Sequence, residues 1–146
     1  MDQDVQNILR RYRDQDIDLQ QLRAWLDKEG VRVEAQIPRG QLLKIRRGSE
    51  AQSNGVIAQL LPACARCRSI GSPKQFVSRV EYQQYSQRRD AAVANGFLAE
   101  ISPPVFDFER AGSVGSTMYY RCTHCNSIWA FVEPEKAENG SWNRII

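Results

Sequence analysis

Four cysteines stand in two equal spacings, Cys64-Ala65-Arg66-Cys67 and Cys122-Thr123-His124-Cys125, and the chain has no others. A Cys-x-x-Cys turn aims two thiolates at one point, so two such turns supply four soft ligands to one tetrahedral ion. Four thiolates suit zinc, and a shell filled by protein leaves no position for a substrate, so the expected cofactor is a structural Zn2+. Two other chemistries compete. A redox dithiol of the thioredoxin kind needs one pair, placed at a helix N-terminus after a buried strand. Here Cys122 follows the strand-like Met118-Tyr119-Tyr120-Arg121, and a second pair would be left without a role. Disulfides belong to oxidising compartments, yet the chain opens on Met1-Asp2-Gln3-Asp4 with no apolar run behind it, unlike a secretory leader. The expectation is a reducing, cytoplasmic setting.

Between Cys67 and Cys122 lie 54 residues, against roughly 15 to 20 in a compact ribbon. The ribbon therefore carries an insertion. Loop closure costs only logarithmically more as a loop lengthens, so one metal can tie distant segments together and add folding free energy. Asn126, directly after the second knuckle, tolerates the left-handed backbone such turns need, whereas Arg68, after the first, fits it poorly. His124 is a conceivable substitute ligand, but four thiols already complete the shell, and it is expected to face solvent.

The elements that must position these cysteines begin with two helices. Val5, Ile8, Leu9 and Tyr12 recur on one helical face, with Asp4 or Asp2 as cap. Asp18 and Gln21 form a capping box, Ile17 and Leu22 a hydrophobic staple, and Gly30 ends the second helix. Residues 1–30 are thus read as an N-terminal helical hairpin, and residues 31–146 as an α+β zinc-ribbon domain. After Gly30 the period changes to two: Val31, Val33, Ala35 and Ile37 alternate with Arg32, Glu34 and Gln36, and a return strand over residues 42–46 would complete a basic hairpin. Helix, helix and basic hairpin could be a fragment of a winged helix, but no third helix with a recognition face precedes it. Residues 48–55 read as a loop and 56–61 as a short strand delivering Cys64.

Inside the insertion, Ser78 with Glu81 and Asn95-Gly96 bracket a helix over residues 79–94, with Tyr82, Tyr85, Ala92 and Val93 as its buried stripe. Pro103-Pro104 leads to an alternating strand over 105–108, and residues 111–117 read as a turn. Residues 118–121 enter the second knuckle, 128–132 leave it, and 142–146 return after Asn139-Gly140. Trp129, Phe131 and Trp142 would cover this sheet, either packing a thin metal-stapled core or forming an exposed base-stacking platform.

Charge divides unevenly. Residues 31–92 hold eleven bases and four acids inside a chain of net charge +3, and sixteen of the twenty bases are arginines. Arginine suits planar, bidentate contact with carboxylate or phosphate, although it is also an ordinary solvated residue. Arg46, Arg47, Arg88 and Arg89 are the candidate partner-binding residues. No apolar run approaches the length that spans a bilayer, so no membrane role is expected.

The stretch Tyr120-Arg121-Cys122-Thr123-His124-Cys125-Asn126-Ser127-Ile128-Trp129, with Pro134, Gly140 and Trp142 beyond it, resembles the zinc-ribbon ends of small bacterial proteins, including immunity proteins that neutralise polymorphic toxins. The resemblance covers only this end and implies a protein partner such as a toxin. The basic middle departs from the acidic balance expected of an inhibitor of a nucleic-acid-cleaving toxin.

Catalytic equipment is sparse. A zinc deaminase needs His-x-Glu before Pro-Cys-x-x-Cys, and the single histidine, His124, adjoins Cys125. No nucleophile elbow, phosphate-binding loop or dinucleotide fingerprint occurs. Asp107 and Glu109, two apart on a strand, could hold a second metal but more often solubilise. The sequence therefore leads to a non-enzymatic α+β protein, with a small mixed or antiparallel sheet and an inserted helix, that binds and inhibits or adapts a protein partner. The alternative is a nucleic-acid-binding zinc ribbon.

Overall fold

The computed structural model describes residues 1–107 and 116–146. The chain forms two compact units, residues 1–62 with Ile146, and residues 63–145. The boundary expected at residue 30 therefore moves to Pro62, because the segment read as a basic hairpin is helical.

The first unit is built from α1 (Gln3–Arg13), α2 (Leu19–Lys28), α3 (Gly30–Glu34), α4 (Arg39–Arg47) and α5 (Glu50–Leu60). Its first two helices start where their caps place them. Asp2 accepts a hydrogen bond from the Val5 N–H at 3.0 Å, and Asp18 and Gln21 satisfy each other's backbone N–H groups at 2.7 and 2.9 Å. Both arms of the box are made, which holds the first-turn donors that a helix leaves unpaired.

The strand expected at residues 31–37 is instead α3 and the turn after it. Val33 and Ile37 are buried, four residues apart, whereas Val31 is 85% exposed, so the alternation was half accidental. The return strand expected at 42–46 is α4, burying Leu42 and Ile45 at helical spacing. The expected loop at 48–55 and strand at 56–61 together form α5. Ser49 and Gln52 make a second capping box at 3.2 and 2.9 Å, and Gly55 sits where an added Cβ would meet nothing within 4 Å. With no hairpin in residues 31–46, the winged-helix reading has no wing.

The second unit contains α6 (Ala65–Arg68), β1 (Lys74–Gln75), α7 (Arg79–Ala94), β2 (Leu98–Ile101), β3 (Thr117–Cys122), β4 (Ile128–Val132) and β5 (Ser141–Arg144). The five strands form one sheet in the order β1-β5-β4-β3-β2, antiparallel throughout. The architecture is α+β. The inserted helix occupies residues 79–94 as expected, and Ser78 Oγ accepts the Glu81 N–H at 3.2 Å. Glu81 does not return the bond to Ser78. Its carboxylate takes the Val77 N–H at 2.9 Å and pairs with Lys74, fixing β1 to the start of α7. The strand expected over 105–108 is a 3-10 turn at Val105–Asp107. Phe108, the Asp107 side chain, Glu109 and residues 111–115 of the expected turn lie outside the described residues.

Strand pairing decides which side chains cover the cysteine-bearing face. Tyr120 lies opposite Trp129, Met118 opposite Phe131, and Phe131 opposite Trp142. With the two-residue period of strands, these residues share a face with Cys122. All three aromatics of the ribbon are interior: Trp129 is 1% exposed, and Phe131 and Trp142 are fully buried. The two tryptophan rings stack at 4.9 Å and 8°, and Phe76, Tyr82 and Tyr85 close over Phe131 and one another. The platform reading is therefore corrected, since rings packed into a core present no face on which a base can stack.

Candidate metal centre

The four cysteines converge. Sγ of Cys64 lies 3.8 Å from that of Cys67 and 3.5 Å from that of Cys122, and Cys67 Sγ lies 3.7 Å from Cys125 Sγ. All four ligand atoms fall within 4.8 Å of one another. Four sulfurs about 2.3 Å from a central zinc stand about 3.8 Å apart at the edges of a tetrahedron, whereas a disulfide brings sulfurs to about 2.05 Å. The cluster could hold a metal ion, and its separations are those of shared ligation and too long for a sulfur–sulfur bond.

The two pairs reach this point by different backbone devices. Cys64 caps α6 in extended conformation and Cys67 sits one turn on, with the Arg68 N–H donating to Cys64 O at 3.1 Å. Residues three apart on a helix share a face, so both sulfurs point the same way and no left-handed residue is needed. The poor fit of Arg68 to a left-handed turn thus has no consequence, because Arg68 is helical. The second pair makes the expected hairpin knuckle. Asn126 takes φ +62° and its N–H donates to Cys122 O at 3.0 Å, while the Cys122 N–H donates to Ser127 O at 2.9 Å. Thr123 anchors this knuckle to the residues after α7, its Oγ1 donating to Gly96 O at 2.7 Å and its N–H to Phe97 O at 3.0 Å.

Cys67 and Cys122 are fully buried and belong to the core cluster that includes Trp129 and Trp142, while Cys64 and Cys125 are half-buried. The electrostatics explain why such a cluster calls for a cation. The contact with the Cys67 sulfur, and then Ser127 3.1 Å from its own, push the Cys125 thiol down. Cys67 is driven up by that same bond, then by burial and by the neighbouring sulfurs; Cys122 is driven up chiefly by burial. Four adjacent thiolates require a central positive charge.

Sequence reasoning missed the supporting residues Ser127 and Arg144. Ser127 is fully buried, and Arg144 Nη2 donates to its Oγ at 3.1 Å, so β5 steadies a side chain that touches a ligand sulfur. Such outer contacts orient ligands. Their only sequence signal was the position of Ser127 just past the left-handed Asn126; Arg144 is 17 residues further on, beyond any local spacing rule. His124 is exposed, as expected.

The candidate arginines are scattered. Arg46 is half-buried on α4, paired with Asp27 at 3.3 Å and Glu34 at 3.2 Å and donating to Leu26 O. Arg89 pairs with Asp90 at 2.8 Å and lies 4.4 Å from the centre of the Phe131 ring, largely inside. Arg47 is exposed on α4, in the other unit from Arg88, which is exposed on α7. The +7 segment straddles the unit boundary: residues 1–62 carry ten bases and nine acids, residues 63–145 ten bases and eight acids. Each unit is close to neutral.

Among the described residues, no helix is long and apolar enough to cross a membrane. Comparison with protein-family models, curated proteins and solved structures finds no match for the chain.

Proposed function

We propose that this chain is a non-enzymatic binding protein, stabilised by one zinc ion, whose partner is another protein that it inhibits or adapts. The observation that carries the reading is the sulfur tetrahedron. Cys64, Cys67, Cys122 and Cys125 would fill the shell of a zinc ion, which then fastens the core and offers no open position for Lewis-acid chemistry. Zinc suits a closed four-thiolate shell because it has no redox chemistry and no geometric preference of its own beyond the tetrahedron.

Two observations favour a protein partner over nucleic acid. The ribbon aromatics are consumed by the core, and the near-neutral balance of each unit lacks the broad basic stripe that tracks a phosphate backbone. An immunity-type inhibitor is the specific form of this reading.

The test is a pull-down of the tagged, zinc-loaded chain from its native extract, with and without nuclease, alongside metal analysis. One stoichiometric protein that survives nuclease, with about one zinc per chain, supports the proposal. Nucleic acid as the sole companion, lost after nuclease, replaces it with the nucleic-acid reading.

A further inference from the structure

We infer that Cys64 is the reactive thiolate of the cysteine cluster, the point at which a small soft carbon electrophile enters it and loosens the ion. The inference rests on the zinc reading and adds a modification site to it. Cysteines bound to zinc are all thiolates, so the share of thiolate does not separate the four. Access and intrinsic nucleophilicity do.

Access removes two of them. Cys67 and Cys122 are fully buried, whereas Cys64 and Cys125 are half-buried. Hydrogen bonding then separates the remaining pair. Ser127 Oγ lies 3.1 Å from Cys125 Sγ and itself accepts from Arg144 Nη2 at 3.1 Å. Because the oxygen's acceptor capacity is used by the guanidinium, its own hydrogen is left for the thiolate. The backbone of Cys64 and that of Ser127 also hydrogen-bond the Cys125 sulfur.

Cys64 Sγ has no counterpart to these contacts. Its close neighbours are the sulfurs of Cys67 at 3.8 Å and Cys122 at 3.5 Å. Among the described residues, no N–H or O–H group donates to it. The cause lies in the two backbone devices. The hairpin knuckle turns the backbone of His124 and Cys125 onto the Cys122 sulfur, while Cys64 stands at the N-cap of α6 and its side chain accepts no cap hydrogen bond. A hydrogen bond on a thiolate stabilises the lone pair that would attack, and lowers nucleophilicity along with basicity. Cys64, bare and half-exposed, is therefore faster than Cys125.

In the reaction a lone pair on Cys64 Sγ forms a bond to the electrophilic carbon as the bond from that carbon to its leaving group breaks. With iodoacetamide as the probe, iodide departs and a neutral thioether remains. The ion then keeps three thiolates, and its hold on the cluster weakens.

The experiment treats the full chain, its zinc content measured beforehand, with iodoacetamide under native conditions. Peptide mass spectrometry counts the adduct on each cysteine at intervals, and a metallochromic chelator reads released zinc. Cys64 should be labelled about tenfold faster than Cys125, the scale of one charge-assisted hydrogen bond carried partly into the barrier. Cys67 and Cys122 should stay unlabelled until zinc has left. Zinc release should keep pace with the Cys64 adduct and rise in proportion to reagent. Ser127→Ala takes the hydroxyl from Cys125 and should raise the Cys125 rate several-fold while leaving that of Cys64 unchanged; if this variant does not hold zinc, the order in the parent decides. Labelling of Cys125 as fast as Cys64 in the parent, or an unchanged Cys125 rate in zinc-loaded Ser127→Ala, overturns the inference. So does labelling of all four together at a rate independent of reagent, which marks entry by unfolding. These results leave the zinc reading standing, whereas a chain that takes up no zinc overturns both.

Discussion

Replacing Cys122 with serine takes one fully buried sulfur from the tetrahedron, and the loss can be sized from the loop that a shared metal would close. Cys64 and Cys122, whose sulfurs are 3.5 Å apart, are separated by 58 residues. Treated as a cross-link on the unfolded chain, a closure of that length is worth about 4 kcal/mol. Unfolding entropy near 2.1 cal/mol/K per residue gives a unit the size of residues 63–145 a fall in Tm of roughly 20 °C. This is a floor, since metal–sulfur bonding adds to it. The assay is thermal unfolding followed by near-ultraviolet circular dichroism in a Trp25→Phe background, so that the remaining tryptophans, the stacked Trp129 and Trp142, report on this unit. The helical unit holds no ligand and has its own buried residues, so its far-ultraviolet transition should persist. Zinc per chain should fall well below one in Cys122→Ser, and exhaustive chelation of the parent should reproduce the shift. If chelated parent protein keeps its tryptophan signal and melts within about 5 °C of the zinc-loaded form, less than about 1 kcal/mol hangs on the metal and the structural-zinc reasoning is wrong.

Other perturbations test separate parts of the fold. Gly140 has φ +83°, and an added Cβ would collide with the Val132 carbonyl, so Gly140→Ala should cost about 1–3 kcal/mol in denaturant titration; a neutral result would mean the turn before β5 is misplaced. Tyr12 donates to Asn54 Oδ1 at 2.7 Å in the buried part of the helical unit. Tyr12→Phe should therefore destabilise that unit by about 1–3 kcal/mol, by stranding an acceptor, and an unchanged midpoint would show that another donor serves Asn54. Asp2 is held down at about 2 by the Val5 N–H, then Gln36 and Arg32. A depressed carboxyl stabilises fully above its ordinary value of 3.8, and the contribution vanishes as pH falls toward about 2. Parent protein should lose stability across that window more steeply than Asp2→Asn, and parallel curves for the two proteins would refute the assignment.

The cysteine cluster was legible because its members obey a local spacing and a turn residue, Asn126, that reports backbone conformation directly. Capping chemistry was equally readable at Asp18 with Gln21 and at Ser78 with Glu81, and both helices begin there. The same signature, Ser49 with Gln52, stood before α5, but Gly48, Ser53, Asn54 and Gly55 read as loop composition and masked it. Burial of Val56 and Ile57 against the helical unit's other apolar residues outweighs the propensity cost of one glycine. The segment at 31–37 failed for another reason. Val33 and Ile37 satisfy both a period of two and a spacing of four, and only the exposure of Val31 separates the two patterns. Tertiary packing was needed to place Arg46 and Arg89 inside, since neither ion pairs nor ring contacts across elements leave a trace in spacing.

The order of strands carries a kinetic consequence. β2, β3, β4 and β5 pair each with the next in sequence, a meander whose contacts are mostly local. β1, which pairs with β5, the α6 cysteine pair, and α7, whose Tyr82 and Arg89 reach Phe131, must all be brought back across a long stretch of chain. The topology predicts that closure of the centre follows the barrier to folding, as a latch on a sheet already formed. In stopped-flow experiments zinc should leave the refolding rate of this unit nearly unchanged and slow its unfolding instead; bound there, an ion would govern how long the native state lasts more than how quickly it is reached.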